Sequence, residues 1–404
     1  MINVAVLGYG TVGSGVVEVI ETNKKDIERK IGTSIEVKYI LDLRDFPGDP
    51  YESKVVHDVS VIMNDPDVSI VCETMGGLDP AYDFTKDALS RGKSVCTSNK
   101  ELVAAHGPEL IHLAQSNKCN YMFEASVGGG IPIIRPMNCA LTAEHIDSVM
   151  GILNGTTNYI LTRMDEDGAD FDDALREAQA LGYAEKDPTA DIEGFDISRK
   201  IAILSSLVCG HYVNYEDIYT EGITKITADD IAYAHAMNKT VKLLAISRET
   251  PEGYFAMVAP FLVDREHPLY MVREAFNAVF IHGNTLDNTM YYGRGAGKLP
   301  TASAVVADVV DCARHIGKCI TILWDDERVE LTDANKYKCK YFVRVPASDK
   351  DKVKVKVEAA FDIQDTVDAG FKDEFAFITG EIDNDEYEES ASKIGSVINR
   401  IRMI

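Results

Sequence analysis

The stretch 2-INVAVLGYGTVGSG-15 decides the fold of this chain. Residues 2–8 form a short apolar run that ends in glycine, which predicts a buried strand. A helical pattern follows from Thr11 to about Asn23, and the turn between strand and helix fits the spacing G-x-G-x-x-G at Gly8, Gly10 and Gly13. A glycine turn between a buried strand and a helix is the usual opening of a nucleotide-binding sheet.

The residues that follow continue the alternation of strand and helix. Apolar runs predict strands at 35–41, 68–75, 93–98 and 120–126, and amphipathic segments predict helices near 80–91 and 107–117. Such a series is typical of the α/β class, with a doubly wound parallel sheet. We assign residues 1–130 to this first domain.

Three glycines and two prolines in 127-VGGGIPIIRP-136 interrupt the alternation. Beyond them we expect a second, α+β domain over 131–300, with helices at 156–166, 172–181 and 195–209 and strands at 254–263 and 278–283. Helix 301–317 is expected to return to the first domain. After the polar stretch 324–339, residues 337–404 predict a small βαββαβ domain.

Composition excludes several classes of function. The 404 residues suggest two or three domains, and the formal net charge of −24 disfavours nucleic acid and anionic membranes as partners. No apolar run is long enough to span a bilayer, and the N-terminus lacks the basic region of a signal peptide. The eight cysteines form no C-x-x-C pair, so we expect reduced thiols in a cytoplasmic protein, without a zinc site.

The glycine turn predicts a dinucleotide cofactor. Gly8 permits the tight turn, Gly10 lets a pyrophosphate approach the backbone, and Gly13 lets the helix pack closely. The helix that begins at Thr11 and Val12 would offer its free amides to the phosphates, and Gly15 is expected to add a close contact between helix and sheet.

The residues after the second strand leave the choice of dinucleotide open. Asp42 or Asp45 would bind the ribose of NAD, whereas Arg44 between them would meet the 2′-phosphate of NADP.

A second candidate site lies in 180-ALGYAEKDPTADIEGFDISRKIAIL-204, where several carboxylates precede one lysine and an apolar helix. Lys200 follows Asp196 by four residues, so the two share a helix face, and Lys200 could exchange a proton with a substrate oxygen. Glu185 and Asp191 would then accept a substrate ammonium group. The alternative is a solvated acidic loop with an i,i+4 ion pair.

Lys100 is another candidate, because 97-TSNK-100 follows a strand at the carboxyl edge of the sheet, where ligands bind. The alternative here is an ordinary lysine at the start of a helix, beside an Asn or Ser cap.

Six segments together resemble the homoserine dehydrogenase family. They are 8-GYGTVGSG-15, 97-TSNK-100, 124-EASVGGGIP-132, 151-GILNGTTNYIL-161, 181-LGYAEKDPTADIEGFDISRK-200 and 293-GRGAGKLPTASAVVAD-308. The resemblance implies a Rossmann domain and NAD(P)-linked interconversion of L-homoserine and L-aspartate 4-semialdehyde, on the route to threonine and methionine. It also implies a small-molecule substrate and a homo-oligomer, either a dimer or a tetramer.

The resemblance implies roles for individual residues. Lys200 is similar to the family's proton-transfer lysine and Lys100 to its second lysine. The positions that match the family's substrate carboxylates are Glu185, Asp191 and Asp196. Those that match its nicotinamide side are Ser98, Gly182 and Gly297, and those that match its structural sodium site are Glu124, Val127, Gly129 and Ile131.

The C-terminal segment resembles an ACT-type regulatory domain in its order of strands and helices. It departs from that type in its first loop, 346-PASDKDKVKVKVEAAF-361, which lacks the glycine expected before the helix. We therefore expect this degenerate ACT-like domain to serve in assembly. The rival hypothesis for the whole chain is a catalytically silent sensor that binds nucleotide and amino acid.

Overall fold

The computed structural model describes residues 1–404 and contains two compact units. The first comprises residues 1–146, 199–216 and 282–329, and the second comprises residues 147–198, 217–281 and 330–404. None of the helices combines the length and the apolar composition that crossing a bilayer requires.

Residues 1–146 carry alternating strands and helices. The strands are β1 (Ile2–Leu7), β2 (Ile35–Leu41), β3 (Val55–Val56), β4 (Val68–Glu73), β5 (Ser94–Thr97) and β6 (Tyr121–Met122). The helices are α1 (Thr11–Thr22), α2 (Lys24–Ile31), α3 (Val59–Met63), α4 (Ala81–Ser90) and α5 (Lys100–Ser116).

Residues 146–294 carry longer strands and a series of helices. The strands are β7 (Ile146–Ile152), β8 (Tyr219–Thr220), β9 (Lys239–Thr250), β10 (Gly253–Asp264), β11 (Phe276–Gly283) and β12 (Asp287–Arg294). The helices are α6 (Gly155–Asp167), α7 (Phe171–Ala180), α8 (Thr189–Ile192), α9 (Phe195–Cys209) and α10 (Ala228–Ala236).

The remaining helices and strands lie between residues 298 and 403. The helices are α11 (Lys298–Arg314), α12 (Lys350–Glu358) and α13 (Asn384–Ile394). The strands are β13 (Lys340–Pro346), β14 (Ile363–Val367), β15 (Glu374–Thr379) and β16 (Asn399–Met403).

The first unit is built on a six-stranded sheet in the order β3-β2-β1-β4-β5-β6. All of its strand pairs are parallel. The order reverses between β1 and β4, which is the switch point at which ligands bind in doubly wound sheets. The predicted Rossmann-like sheet is therefore confirmed.

Two boundaries in this unit differ from the prediction. The helix predicted over 107–117 begins at Lys100, because the amide of Leu102 donates to the side-chain oxygen of Asn99 at 3.1 Å and so caps it there. The strand predicted over 120–126 is reduced to β6, because residues 124–126 form a 3-10 turn.

Helix α11 belongs to the first unit and packs on α1. A Cβ on Gly15 would lie 2.8 Å from the carbonyl oxygen of Lys298 and 3.0 Å from the Cβ of Ala302. The close approach at Gly15 is thus between two helices, whereas the sequence predicted a contact between helix and sheet.

The second unit is built on a mixed sheet, in which β11, β7, β9, β10, β16, β13, β15 and β14 are neighbours in that order and β8 pairs with β10. The long hairpin of β9 and β10 is antiparallel, and β16 joins β10 in parallel at Phe261 and Arg402. Residues 337–404 have the predicted order of strands and helices, but their strands continue this sheet.

Strand β9 buries a lysine. Lys242 is 1% exposed, and its ammonium donates to the carbonyl oxygen of Val272 at 2.6 Å and to the side-chain oxygen of Asn158 at 3.1 Å. Burial, with a smaller contribution from Arg273, lowers the pKa of Lys242 to about 7, although the nearby Asp165 acts in the opposite direction.

We expect this lysine to make stability depend on pH. An unfolded chain holds the lysine proton up to its ordinary pKa, so the unfolded state binds more protons between pH 7 and that pKa, and the free energy of unfolding rises with pH. From pH 7 to 8.5 the wild type should gain up to about 2 kcal/mol relative to Lys242→Met. Urea unfolding of both proteins across this range measures the difference, and parallel pH profiles would contradict it.

Candidate active site

Close backbone contacts shape the turn between β1 and α1. Gly8 has a φ of +91°, a conformation that glycine adopts readily. A Cβ on Gly13 would lie 1.9 Å from the carbonyl oxygen of Gly8, whereas a Cβ on Gly10 would meet nothing within 4 Å. The turn is therefore closed at Gly13 and open beside Gly10, where a pyrophosphate would approach the backbone.

The first turn of α1 lacks a capping side chain. Gly10 occupies the N-cap position without a side-chain hydrogen bond, and no acidic residue lies in that turn. The amides of Thr11 and Val12 thus lie at the positive end of a helix of 12 residues. This arrangement fits the phosphates of a dinucleotide.

Asp42, directly after β2, is bound to Arg44. Its carboxylate accepts the Nε of Arg44 at 2.9 Å, a second guanidinium nitrogen at 3.0 Å and the amide of Tyr9 at 2.8 Å. The Arg44 side chain is the largest cause of a pKa for Asp42 well below its usual range. Asp45 is instead 3.1 Å from His57 and 82% exposed.

Arg44 is thereby fixed beside the glycine turn. Its guanidinium lies over the ring of Phe46, 5.1 Å from the ring centre, and its side chain is 62% exposed. Asp42 binds Nε and one terminal nitrogen of this guanidinium, so the other terminal nitrogen of an oriented, exposed group is the donor suited to a phosphate.

Buried polar groups occupy the carboxyl ends of β4 and β5. Glu73 ends β4, is fully buried, and accepts the hydroxyl of Thr97 at 2.6 Å. Burial is the largest cause of the raised pKa of Glu73. Asn99 caps α5 and donates to the carbonyl oxygen of Gly77 at 2.6 Å.

This network fixes the backbone around Ser98 and Lys100. The amide of Ser98 donates to the carbonyl oxygen of Glu73 at 3.4 Å, and Lys100 is the first residue of α5. Both side chains are half-buried. The structure therefore places Ser98 and Lys100 at the same edge of the sheet as the glycine turn, with Lys100 next to an Asn cap.

In the second unit, two of the predicted carboxylates share one partner. The side-chain nitrogen of Asn154 donates to Asp191 at 2.7 Å and to Asp196 at 2.9 Å. Asp191 lies in α8 and Asp196 in the first turn of α9. The structure thus brings these two carboxylates together around Asn154.

Helix α9 carries both Asp196 and Lys200, one turn apart, as the sequence predicts. Asp196 is 4% exposed and Lys200 is 8% exposed. A solvated acidic loop with a surface ion pair does not describe these two residues.

Glu185 and Gly182 lie on the exposed turn that follows α7. The carbonyl oxygen of Glu185 accepts the side-chain amide of Gln179 at 3.0 Å, and Gly182 has a φ of +77°. Asn154 thus joins Asp191 and Asp196, while Glu185 remains at the surface.

The glycine-rich segment after β6 is held by a buried carboxylate. Glu124 is 2% exposed and accepts the amides of Ile133, Ile134 and Arg135 at 2.5, 2.9 and 2.7 Å. Both carboxylate oxygens are therefore engaged with backbone.

The same segment, which includes Val127, packs backbone against backbone. Gly129 has a φ of +57°, and a Cβ there would lie 2.1 Å from the carbonyl oxygen of Gly295. The amide of Ile131 donates to the carbonyl oxygen of Gly128 at 2.9 Å. Gly297 follows as the N-cap of α11, with a φ of +119° and no side-chain cap.

Sequence reasoning missed Glu73 and Asn154. Glu73 stands at the end of the apolar run 68-VSIVCETM-75, and a single acid at the end of a buried strand is a signal that could have found it. Asn154 directly precedes a helix, where asparagine is a common N-cap. Its contacts with the two carboxylates could not be recognised from the sequence.

Comparisons with known proteins agree with this geometry. A model of the NAD-binding domain of homoserine dehydrogenase matches residues 8–124, and a homoserine dehydrogenase model matches residues 132–310. The homoserine dehydrogenase of Bacillus subtilis is 41% identical over 327 residues, which cover 79% of this chain and 75% of the relative.

Solved structures extend the similarity to the whole chain. The crystal structure of a homoserine dehydrogenase from Thiobacillus denitrificans has a TM-score of 0.89 and 35% identity, and covers 100% of this chain and 98% of its own. A hyperthermophilic archaeal homoserine dehydrogenase mutant in complex with NADPH has a TM-score of 0.65 and 29% identity, and covers 77% of this chain and 97% of its own.

Proposed function

Because the chain belongs to the homoserine dehydrogenase family of NAD(P)-dependent oxidoreductases, we propose roles for individual residues in its reaction. That reaction is the reversible interconversion of L-homoserine and L-aspartate 4-semialdehyde. The observation that carries the proposal is that Asp196 and Lys200 lie one turn apart on α9, both buried.

We assign the phosphates of NAD(P) to the turn formed by Gly8, Gly10 and Gly13 and to the amides of Thr11 and Val12. The open space beside Gly10 and the uncapped first turn of α1 support this assignment. When bound, the nicotinamide accepts or donates the hydride at the substrate carbon that changes oxidation state.

Lys200 is assigned the proton that accompanies this change. Its ammonium would give a proton to the aldehyde oxygen during reduction, and its neutral amine would take a proton from the alcohol during oxidation. Asp196 would orient it from the preceding turn, and Lys100 would be the second lysine of the site.

Asp191, Asp196 and Glu185 are assigned to the substrate ammonium group. Asn154 donates to Asp191 and Asp196 as a neutral group, so its hydrogen bonds add no positive charge that would repel a substrate ammonium. Glu185 is exposed, so its contribution would require the turn at 181–187 to meet the substrate.

Ser98, Gly182 and Gly297 are assigned to the nicotinamide side. The buried bonds among Glu73, Thr97 and Asn99 support a fixed backbone around Ser98. The absence of side chains at Gly182 and Gly297 would let a flat ring approach the backbone.

We propose that Arg44 makes NADP the preferred cofactor, because Asp42 is already bound to Arg44 and Tyr9. Arg44→Ala should weaken NADP binding by about 10- to 100-fold, the loss expected for a hydrogen-bonded charged group, and leave NAD binding almost unchanged. Fluorescence titration of each cofactor measures this, with Arg29→Ala as a control at an exposed arginine of the same unit. Equal loss for both cofactors would contradict it.

A structural sodium ion is a further proposal, with Glu124, Val127, Gly129 and Ile131 as its positions. Engagement of the Glu124 carboxylate by three amides supports ligation through backbone oxygens. Activity and thermal stability in sodium and in potassium buffers, at equal ionic strength, test whether an ion of this size is held.

For the domain organisation, we propose a division into residues 1–130, 131–300 and 337–404, of which 337–404 form an ACT-like domain. The order β13, α12, β14, β15, α13, β16 supports the ACT-like assignment. Assembly into a homo-oligomer, dimer or tetramer, and a cytoplasmic location are proposed as well. Light scattering of the purified protein measures the oligomer.

The experiment that tests the function follows nicotinamide reduction with L-homoserine, separately with NAD and NADP and with or without L-threonine. Turnover that requires homoserine supports the proposal and identifies the preferred cofactor. A protein that binds a cofactor but does not oxidise homoserine with either NAD or NADP would instead be the catalytically silent sensor.

A further inference from the structure

Asn154 serves two structural purposes with the two ends of one side chain. It is 5% exposed and occupies the N-cap position of α6. Its side-chain oxygen accepts the amide of Thr157 at 2.9 Å and the Thr157 hydroxyl at 3.2 Å. This oxygen therefore satisfies the start of the helix, as an ordinary cap does.

The side-chain nitrogen of Asn154 makes two further hydrogen bonds that capping the helix does not require. An Asn amide has two N–H donors, and here one meets Asp191 at 2.7 Å and the other meets Asp196 at 2.9 Å. Asp191 lies in α8 and Asp196 in α9, on either side of Gly194. Asn154 thus links two carboxylates that belong to different helices.

From this geometry we propose that Asn154 is a positioning residue for homoserine binding, which holds Asp191 and Asp196 together as one receptor for the substrate ammonium. The inference rests on the proposed role of the two carboxylates. Two adjacent carboxylates repel each other, and donated hydrogen bonds offset that repulsion.

The neutrality of Asn154 matters for this role. A lysine or arginine in its place would also hold the two carboxylates, but its charge would cancel the one that attracts the substrate ammonium. An amide stabilises both carboxylates without placing a positive charge next to the substrate ammonium. This chemistry favours a positioning role over a purely structural cap.

The two helices that Asn154 connects, α6 and α8, differ in how well they are anchored. Helix α6 is anchored by Asn158, whose side-chain nitrogen donates to the carbonyl oxygens of Glu274 at 2.8 Å and Phe276 at 3.0 Å. Helix α8 has only four residues and follows an exposed turn. Asn154 therefore connects Asp191, on a short helix, to a rigid part of the sheet and helix packing.

The test compares Asn154→Ser with the wild type. Serine is a good N-cap, so α6 keeps its start, but the two donors to Asp191 and Asp196 are lost. We expect the KM for homoserine to rise by about 10- to 100-fold, because hydrogen bonds to charged groups are lost, while the KM for NAD(P) changes little. Asp383→Ser, at the N-cap of α13, is the matched control and should leave both KM values unchanged.

Asn154→Asp adds a readout that a structural role would not move. Aspartate keeps the cap and the shape but places a third carboxylate against the other two. Its defect should therefore grow with pH as that group ionises, in a kcat/KM profile that the wild type does not follow. This variant also serves if Asn154→Ser fails to fold.

The outcomes separate the inference from the function on which it rests. A wild type without homoserine turnover would remove the proposed function itself. If the wild type is active, two results for Asn154→Ser would overturn the positioning role alone. One is an unchanged KM for homoserine, and the other is an equal rise of the KM values for homoserine and for the cofactor. An Asn154→Asp variant whose pH profile matches that of the wild type would overturn it as well.

Discussion

Lys200→Ala is expected to lower kcat for homoserine oxidation by about 10²- to 10⁴-fold, the usual contribution of a positioned proton donor or acceptor. Lys200 is 8% exposed on α9, one turn after Asp196. Removing it would take away the group that we propose for proton exchange with the substrate oxygen, whereas the phosphates are assigned to the glycine turn and α1. Steady-state kinetics should therefore show a large fall in kcat, and titration should show an unchanged dissociation constant for NAD(P).

Lys186→Ala is the matched control for this variant. Lys186 lies in the same acidic segment, but its side chain is exposed, so its loss should leave kcat close to that of the wild type. The opposite pattern for Lys200→Ala, with cofactor binding lost and turnover of the bound enzyme retained, would remove Lys200 from proton transfer. A fall shared by both lysine variants would point to the net charge of the segment.

The first sheet could be predicted because its signals are local. A buried parallel strand is a short apolar run, and the glycines at Gly8, Gly10 and Gly13 specify the turn that follows. The same holds for α9, whose predicted bounds match those observed and whose spacing places Asp196 and Lys200 one turn apart. Hydrophobic periodicity and motif spacing involve residues that are close together in the chain, so they can be recognised in a single sequence.

The partners of these residues could not be predicted, because they come from distant parts of the chain. Asn154 contacts Asp191 and Asp196 across 37 and 42 residues. Arg44 lies two residues from Asp42, yet only the fold shows that the Asp42 carboxylate also accepts the amide of Tyr9. Hydrogen bonds between polar side chains leave no periodic pattern.

The C-terminal segment illustrates the same limit at the scale of a sheet. Its order of strands and helices could be predicted, because each element has its own periodicity. The pairing of β16 with β10, which makes the segment part of the second sheet, could not. A strand such as β16 pairs with the edge strand of an existing sheet, and that edge exists only after the rest of the sheet has formed.

A buried arginine on β13 anchors this segment. Arg344 is 1% exposed, and its guanidinium binds Asp230 of α10 at 2.6 Å. It also binds both carboxylate oxygens of Glu374 on β15, at 2.9 and 3.0 Å, and it lies over the ring of Tyr233. The C-terminal strands and α10 therefore share one charged network in the interior.

Arg344→Met should lower the free energy of unfolding by about 3–5 kcal/mol, the usual cost of removing one partner from a buried ion pair. Asp230 is fully buried and would keep the amide of Thr227 and the side chain of Asn399 as donors, whereas Glu374 would lose its two-pronged partner. Urea unfolding measures the change, and a cooperative transition is needed to interpret it.

Two further variants separate the cost of an unpaired charge from the loss of attraction. Arg176→Met removes an arginine paired with Asp173 on the exposed face of α7, and its effect should stay within about 1 kcal/mol. Adding Glu374→Leu to Arg344→Met removes the carboxylate left without its partner, and should recover part of the lost stability, because much of the cost of breaking a buried pair lies in the charge that remains. A double variant less stable than Arg344→Met alone would mean that Glu374 stabilises the fold through other contacts.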